Sequence, residues 1–147
     1  MIPWDGIRLI KQLERRRLKL DRLRRKDHGS GVAGDRPGPE RRILHVAELI
    51  PRGYWTAYGE VGLAATGSAR SARAVARCAS RTRGFPNAWR VIHADGSIPE
   101  GWGRRDGGPA RCRRLLEAEG VRFIDGRADP TKKILADELE LLLAGEA

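Results

Sequence analysis

Apolar residues recur at helical spacing in several separate stretches of this 147-residue chain. In the stretch WDGIRLIKQLERRRLKLDRLRRKD, apolar Ile10, Leu13 and Leu20 share one side of a predicted helix whose other side is Arg and Lys. The following HGSGVAGDRPG is rich in Gly, Pro and Ser, a composition typical of a flexible linker. We therefore predict a basic amphipathic helix over residues 1–27, a linker over 28–38 and a compact domain after it.

Two helices are predicted at the start of that domain. Pro39 suits a first helical position, and the first helix should end at the PRG of residues 51–53. A second helix should run from Thr56, its predicted N-cap, to Thr66, with Gly67 as a left-handed stop. The apolar face of the first helix consists of Ile43, Val46, Ala47 and Ile50.

A third helix is predicted from Ser68 to Arg81, and it has a face of small residues that can pack closely against the second. Two short helices joined through a Gly-containing turn are typical of a helix-turn-helix. The small face consists of Ala72, Val75, Ala76 and Ala79.

Short β elements and two more helices follow. Trp89 to Ile92 reads as a strand, and Asp95-Gly96 as the turn of a hairpin that forms a small wing. The later elements are a helix from Pro109 to Glu119 ended by Gly120, a short strand VRFI, and a last helix from Asp129-Pro130 through Leu142. The expected fold class is mainly α with a small β hairpin, a winged helix-turn-helix over residues 39–125 with a C-terminal helical extension over 126–147.

The net charge of the chain limits the kinds of partner that it is expected to bind. The chain has 29 Lys and Arg against 19 Asp and Glu, a formal charge of +10. Arginine combines bidentate hydrogen bonding with stacking, so nucleic acid is the leading partner, and a solvated basic surface is the alternative. Cys78 and Cys112 lie among arginines without a second Cys or His at metal spacing, so we expect reduced thiols, no metal and no cofactor. No stretch reads as a secretory signal or membrane span, which predicts a soluble, cytoplasmic protein, associated with the nucleoid if the source is bacterial. We also expect a monomer.

The stretch FPNAWRVIHADG, residues 85–96, reads as a bend without reactive chemistry at its tip. Pro86 and Asn87 favour a bend, and the tip residues are Ala88 and Trp89, a methyl group and an indole.

Three motifs together resemble the DNA-binding domain of the O6-alkylguanine-DNA alkyltransferases across Ile43 to Phe123. They are IPRGYWTAYGEVGLAATGSARSARAVARCA, PNAWRVIHADGSI and RRLLEAEGV, in that order and at similar spacing. The resemblance implies a winged helix-turn-helix of the alkyltransferase C-terminal domain type that enters the minor groove. In the family the bend reads Pro-Cys-His-Arg, where the cysteine accepts the alkyl group, whereas here it reads Asn87, Ala88, Trp89 and Arg90.

This departure predicts that there is no catalytic residue. Dealkylation needs a thiolate and a base to generate it, but Ala88 has no nucleophile and Trp89 cannot take a proton. The chain is therefore similar to the alkyltransferase-like proteins. That similarity implies non-enzymatic recognition of double-stranded DNA, in which O6-alkylguanine is flipped out and flagged for nucleotide-excision repair proteins.

The resemblance also implies roles for single residues. Tyr58 matches the tyrosine that helps rotate the nucleotide out, and Arg73 matches the arginine that fills the vacated stack; the alternatives are a partly buried aromatic and a solvated cation. The small helix start at Ser68, Ser71 and Ala72 lets the backbone approach the groove. The predicted alkylguanine pocket consists of Ala88, Trp89, Arg90, Val91, Trp102, Arg104 and Arg105. Trp89 is its apolar wall or, alternatively, a hydrophobic plug.

Two rival functions follow from the same residues. The first is a basic winged-helix DNA-binding protein, regulatory or architectural, without damage specificity. The second is an active transferase that uses Cys78 or Cys112, although neither cysteine lies in the bend.

Overall fold

The computed structural model of the chain describes residues 38–104 and 106–145. The predicted basic helix, nearly all of the predicted linker and Arg105 lie outside these residues. One compact unit covers Pro37–Leu139, and residues 140–145 fall outside that unit. This unit extends beyond residue 125, where the domain was predicted to end. The domain boundaries given by the sequence remain predictions.

The described residues are mainly helical, as predicted. Pro39 opens the first helix, whose buried residues include Ile43, Val46 and Ala47. Gly67 has a φ of 80° and its N–H donates to the Leu63 carbonyl at 2.8 Å, which confirms the left-handed stop of the second helix. The helices are α1 (Pro39–Glu48), α2 (Tyr58–Thr66), α3 (Ala72–Arg81), α4 (Gly108–Ala118) and α5 (Ala136–Ala144). None of the helices in residues 38–104 and 106–145 is long and apolar enough to cross a membrane.

The start of α2 differs from the prediction, which made Thr56 its N-cap. The helix begins at Tyr58 with Ala57 in the cap position, and no side chain caps it. Thr56 is fully buried, and its hydroxyl donates to the Ile134 carbonyl at 2.7 Å. The N-cap prediction is wrong because a contact with a distant segment uses the hydroxyl that would have capped the helix.

The strands also differ from the predicted wing. Strand β2 (Val91–Ile92) is shorter than predicted and pairs in parallel with β1 (Thr56–Ala57), so that Thr56 lies opposite Val91. Asp95-Gly96 does form a turn, but residues 97–100, directly after it, do not form a strand. The antiparallel hairpin lies instead between β3 (Phe123–Ile124) and β4 (Arg127–Ala128). Asp125 and Gly126 join its strands with φ values of 53° and 75°, as a tight hairpin turn requires.

The helix-turn-helix packs through small residues at its turn. A short 3₁₀ turn, Ala69–Ser71, precedes α3, so the predicted single helix from Ser68 is divided in two. A Cβ at Gly62 of α2 would lie only 2.8 Å from the Ser71 Cβ, so glycine permits this close approach. The predicted small face of α3 is corrected in one respect: Val75 and Cys78 are buried, whereas Ala76 is exposed.

The segment before α5 is extended rather than helical as predicted. Asp129 caps a single 3₁₀ turn, Pro130–Lys132, and α5 begins only at Ala136. Between them the chain runs beside Trp55, which donates its backbone N–H to Lys132 and accepts from the Ile134 N–H at 2.7 Å. This pairing requires extended backbone and so moves the helix start. Trp55 belongs to the core cluster of Trp55, Ile92, Cys112, Leu116, Val121 and Ala128.

Candidate nucleic-acid interface

The bend before β2 is fixed by backbone geometry and by hydrogen bonds to α1. Asn87 adopts a left-handed conformation with a φ of 54°, and its side-chain amide donates to the carbonyls of Ala47 at 3.0 Å and Glu48 at 3.3 Å. Ala88–Arg90 then form a 3₁₀ turn rather than the predicted strand. Asn87 thus holds the bend against the end of α1.

Glu119, directly after α4, organises the underside of this bend. Its Oε1 accepts from Arg90 Nε at 3.0 Å, and its Oε2 accepts from Arg90 Nη2 at 2.6 Å and from Trp89 Nε1 at 3.2 Å. The Gly53 N–H donates to Oε1 at a longer 3.4 Å. Burial disfavours the ionised carboxylate, but the hydrogen bonds from Arg90 and Trp89 outweigh it, so the pKa of Glu119 is lowered.

Arg90 is held within the protein rather than presented to a ligand. Its side chain is only 11 % exposed, and Nη1 donates to the Ile50 carbonyl at 2.8 Å in addition to the paired bonds with Glu119. The guanidinium lies 5.3 Å from the centre of the Trp89 ring. Arg90 was predicted to line the pocket, but in the structure its guanidinium pairs with Glu119 and lies near the Trp89 ring.

Trp89 and Trp102 both lie beside Ala88. Trp89 is half-buried and packs against the core cluster, while its ring nitrogen is committed to Glu119. Trp102 packs against the same cluster and donates its Nε1 hydrogen to the Ala88 carbonyl at 3.3 Å. The structure thus brings Ala88, Trp89 and Trp102 together. Val91 is fully buried in the strand pair and belongs to the core.

Both cysteines of the chain are buried and reduced. Cys112 lies beneath the bend, where its thiol donates to the Trp89 carbonyl at 3.5 Å, and burial raises its pKa to about 12. Cys78 pairs with the Thr82 hydroxyl at 3.6 Å. A thiol with such a pKa is almost entirely protonated at neutral pH, so Cys112 offers no thiolate nucleophile. Across the described part of the chain, no group of three or more His, Cys, Asp or Glu side chains is placed to hold a metal.

Tyr58 is the first residue of α2 and is half-buried. Its ring meets the edge of the His93 ring with 6.2 Å between centres. Burial, assisted by the nearby Cys112, raises the pKa of Tyr58 to about 12. The phenol therefore stays protonated at physiological pH and can donate a hydrogen bond to an anionic oxygen.

Arg73 lies in the first turn of α3 and its side chain is exposed. The two serines beside it have roles within the protein. Ser68 accepts from the Arg70 N–H at 3.2 Å as a cap, and the Ser71 hydroxyl pairs with the Thr66 hydroxyl at 2.6 Å. The half-buried Ala72 faces Gly59 of α2. Ser71 and Ala72 thus fix the helix-turn-helix, while Arg73 in the first turn of α3 and Arg70 just before it are exposed.

The two arginines predicted to follow the wing are placed differently. Arg104 is exposed, and its guanidinium folds back towards Gly101, where a Cβ would lie 3.4 Å from Nε. Arg105 lies outside the described residues. Within the described residues Arg104 makes no hydrogen bond to Ala88 or Trp89.

Glu119 was not among the site residues predicted from the sequence. A carboxylate in the last turn of a helix is locally unfavourable, because the negative end of the helix dipole lies there. An acidic residue at that position is therefore expected to have a stabilising partner elsewhere in the fold. Its position at the end of the predicted helix was the sequence signal that could have indicated the contacts with Arg90 and Trp89.

Known proteins share this fold and sequence pattern. The family model of the 6-O-methylguanine DNA methyltransferase DNA-binding domain matches residues 39–121. A methylated-DNA–protein-cysteine methyltransferase from Methanothermobacter thermautotrophicus is 44% identical over 85 residues, which are 56% of this chain and 44% of that protein. The chain thus matches less than half of that relative's length.

Two solved structures are similar. S. pombe Atl1, in complex with damaged DNA containing O6-carboxymethylguanine, matches 65% of this chain and 94% of its own with a TM-score of 0.56 and 23% identity. The Mycobacterium tuberculosis O6-methylguanine methyltransferase matches 62% of this chain and 53% of its own, with a TM-score of 0.47 and 31% identity. The Atl1 match establishes the shared fold.

Proposed function

This chain belongs to the family of the 6-O-methylguanine DNA methyltransferase DNA-binding domain, and we propose that it recognises O6-alkylguanine in duplex DNA without removing the alkyl group. It binds the duplex through its helix-turn-helix, rotates the damaged nucleotide out of the stack and receives the base beside the bend. In the cell the bound site is then flagged for nucleotide-excision repair.

The observation that carries this proposal is the side chain at the tip of the bend. Transfer of an alkyl group requires a thiolate placed against the alkyl carbon. Ala88 presents only a methyl group, and the two cysteines of the chain are both buried. Cys112 contacts the bend, but through a hydrogen bond in which its thiol donates to the Trp89 carbonyl.

The same residues favour recognition of the base. Flipping a nucleotide costs a few kcal/mol of lost stacking and pairing, and less when the base already pairs poorly. Ala88 leaves room for an alkyl group, and the indoles of Trp89 and Trp102 supply apolar surface near it. Since Glu119 and Arg90 hold Trp89 in place before DNA arrives, binding need not order this side chain.

A comparison of two matched duplexes tests the proposal. The full chain should bind a duplex with one O6-methylguanine more tightly than the same duplex with guanine, and mass spectrometry after incubation should find no alkylated peptide. Equal affinity for the two duplexes would favour the second candidate, a basic DNA-binding protein without damage specificity, which the net charge of +10 also suits. An alkylated peptide containing Cys78 or Cys112 would overturn the non-enzymatic part.

Arg73 provides a second test, directed at base flipping. We expect Arg73→Ala to weaken binding to the methylated duplex by roughly tenfold, since a lost stacking partner is worth about 1–3 kcal/mol. The control is Arg114→Ala, which removes an equally exposed arginine from α4. Equal losses from the two variants would reduce Arg73 to a general contact with phosphate.

A further inference from the structure

One face of α3 carries a row of arginines that extends beyond Arg73. Arg73, Arg77 and Arg81 recur every four residues, so each is rotated by only about 40° from the one before along the helix surface. All three are exposed, whereas Val75, on the opposite side of the helix, and Cys78 are buried. Along one side of the row lie the small, exposed residues Ala76 and Ser80.

Within the part of the chain that the structure describes, the charges of this row are not paired. In residues 38–104 and 106–145, Arg90 pairs with Glu119 and Arg113 pairs with Glu117, but no acidic side chain pairs with Arg73, Arg77 or Arg81. An uncompensated line of guanidinium groups on a rigid helix suits a partner with regularly spaced negative charge.

We propose that Arg77 and Arg81 form a phosphate-binding track along α3 that grips one strand of duplex DNA whatever its bases. Arg77 and Arg81 are four residues apart, about 6 Å along the helix. Over that length one DNA strand presents about two phosphates, since their axial spacing is about 3.4 Å. Ala76 and Ser80 are short enough for the helix surface beside the arginines to approach the DNA backbone. This proposal rests on the proposed function in one respect, that the partner is duplex DNA. It assigns general affinity for DNA to Arg77 and Arg81, and lesion recognition to other residues.

The test uses the full chain and an undamaged duplex at several salt concentrations. Each phosphate contact contributes about 0.9 to the slope of log affinity against log salt. The double variant Arg77→Gln with Arg81→Gln should therefore lower the magnitude of that slope by about 1.8. Replacement of both by Lys should keep the slope close to that of the wild type, because the charges remain.

The matched control is Arg114→Gln with Arg122→Gln, which removes two exposed arginines outside α3. It should change the slope by much less than 0.9, and the melting temperature of every variant should match the wild type. An unchanged slope for the Arg77 and Arg81 variant, or a loss no greater than that of the control, would overturn the track. So would a lysine variant as defective as the glutamine variant.

A second measurement separates this proposal from the proposed function. The ratio of affinities for methylated and undamaged duplexes should stay within twofold of the wild-type ratio in the Arg77 and Arg81 variant. A large fall in this ratio would overturn the assignment of these arginines to general affinity. A wild-type ratio of one would refute lesion recognition, while the salt slope on undamaged DNA would still decide the track.

Discussion

Replacement of Glu119 by Gln tests whether this carboxylate holds the recognition bend together. In the wild type the two carboxylate oxygens accept from three side-chain N–H groups of Arg90 and Trp89. A glutamine of the same shape has one acceptor oxygen and one NH₂ group. With the NH₂ at the Oε2 position, the hydrogen bonds from Arg90 Nη2 and Trp89 Nε1 are both lost and donors face donors.

The expected cost follows from the burial of the pair. Arg90 and Glu119 are only 11 % and 9 % exposed, so the charge left on Arg90 is poorly compensated by water. Breaking a buried ion pair costs about 3–5 kcal/mol, and the lower end applies because Arg90 keeps its bonds to the Ile50 carbonyl and the remaining amide oxygen. A loss of about 3 kcal/mol should lower the melting temperature by roughly 12 °C or more in a unit of this size.

The control is Glu117→Gln, two residues earlier on the same helix. Glu117 pairs with Arg113, but their side chains are 48 % and 47 % exposed, so the loss should be under about 0.5 kcal/mol. Thermal unfolding followed by circular dichroism compares the two variants with the wild type. Equal falls in melting temperature would refute the structural role of Glu119.

The pH dependence gives an independent check. The pKa of Glu119 is lowered below its ordinary value of 4.5 in the folded protein. The stabilisation by its charge is therefore complete above pH 4.5 and is lost as the pH falls through the lowered pKa. The difference in stability between the wild type and Glu119→Gln should accordingly shrink with acidification in that range. A difference independent of pH would show that the charge of Glu119 does not provide the stabilisation.

Two further predictions concern the helix-turn-helix and the bend. Gly62→Ala should destabilise the protein by about 1–3 kcal/mol, because the new Cβ would lie 2.8 Å from that of Ser71. The control Gly59→Ala, whose nearest contact would be at 3.9 Å, should be neutral or stabilising. Urea unfolding that finds Gly59→Ala to be the more destabilised variant would contradict the close packing at Gly62. Ala88→Cys alone should transfer alkyl groups slowly because no base adjoins the new thiol. Adding Trp89→His should speed single-turnover transfer by about tenfold or more, since an imidazole bonded to Glu119 can accept the thiol proton, and a single variant as fast as the double would refute this reasoning.

Local signals in the sequence were sufficient for most helix ends. Pro39 starts α1 and Gly67 ends α2 as predicted, because the ring of proline and the left-handed conformation of glycine act within one turn of the chain. The unreactive tip at Ala88 could likewise be read from the sequence, since it depends only on which side chain stands there.

Only the tertiary structure decided the residues with distant partners. Thr56 looks like a helix cap, but its hydroxyl bonds to Ile134, 78 residues away. The predicted wing strand pairs in parallel with a segment over thirty residues earlier, a partner that hydrophobic alternation cannot specify. Glu119 accepts hydrogen bonds from Arg90 and Trp89, which precede it by about thirty residues. Both residues were predicted to contact the ligand, and in the structure both are held by this carboxylate. Periodicity and capping describe how a residue interacts with its neighbours along the chain, whereas these contacts exist only once α1, the bend and α4 have packed together.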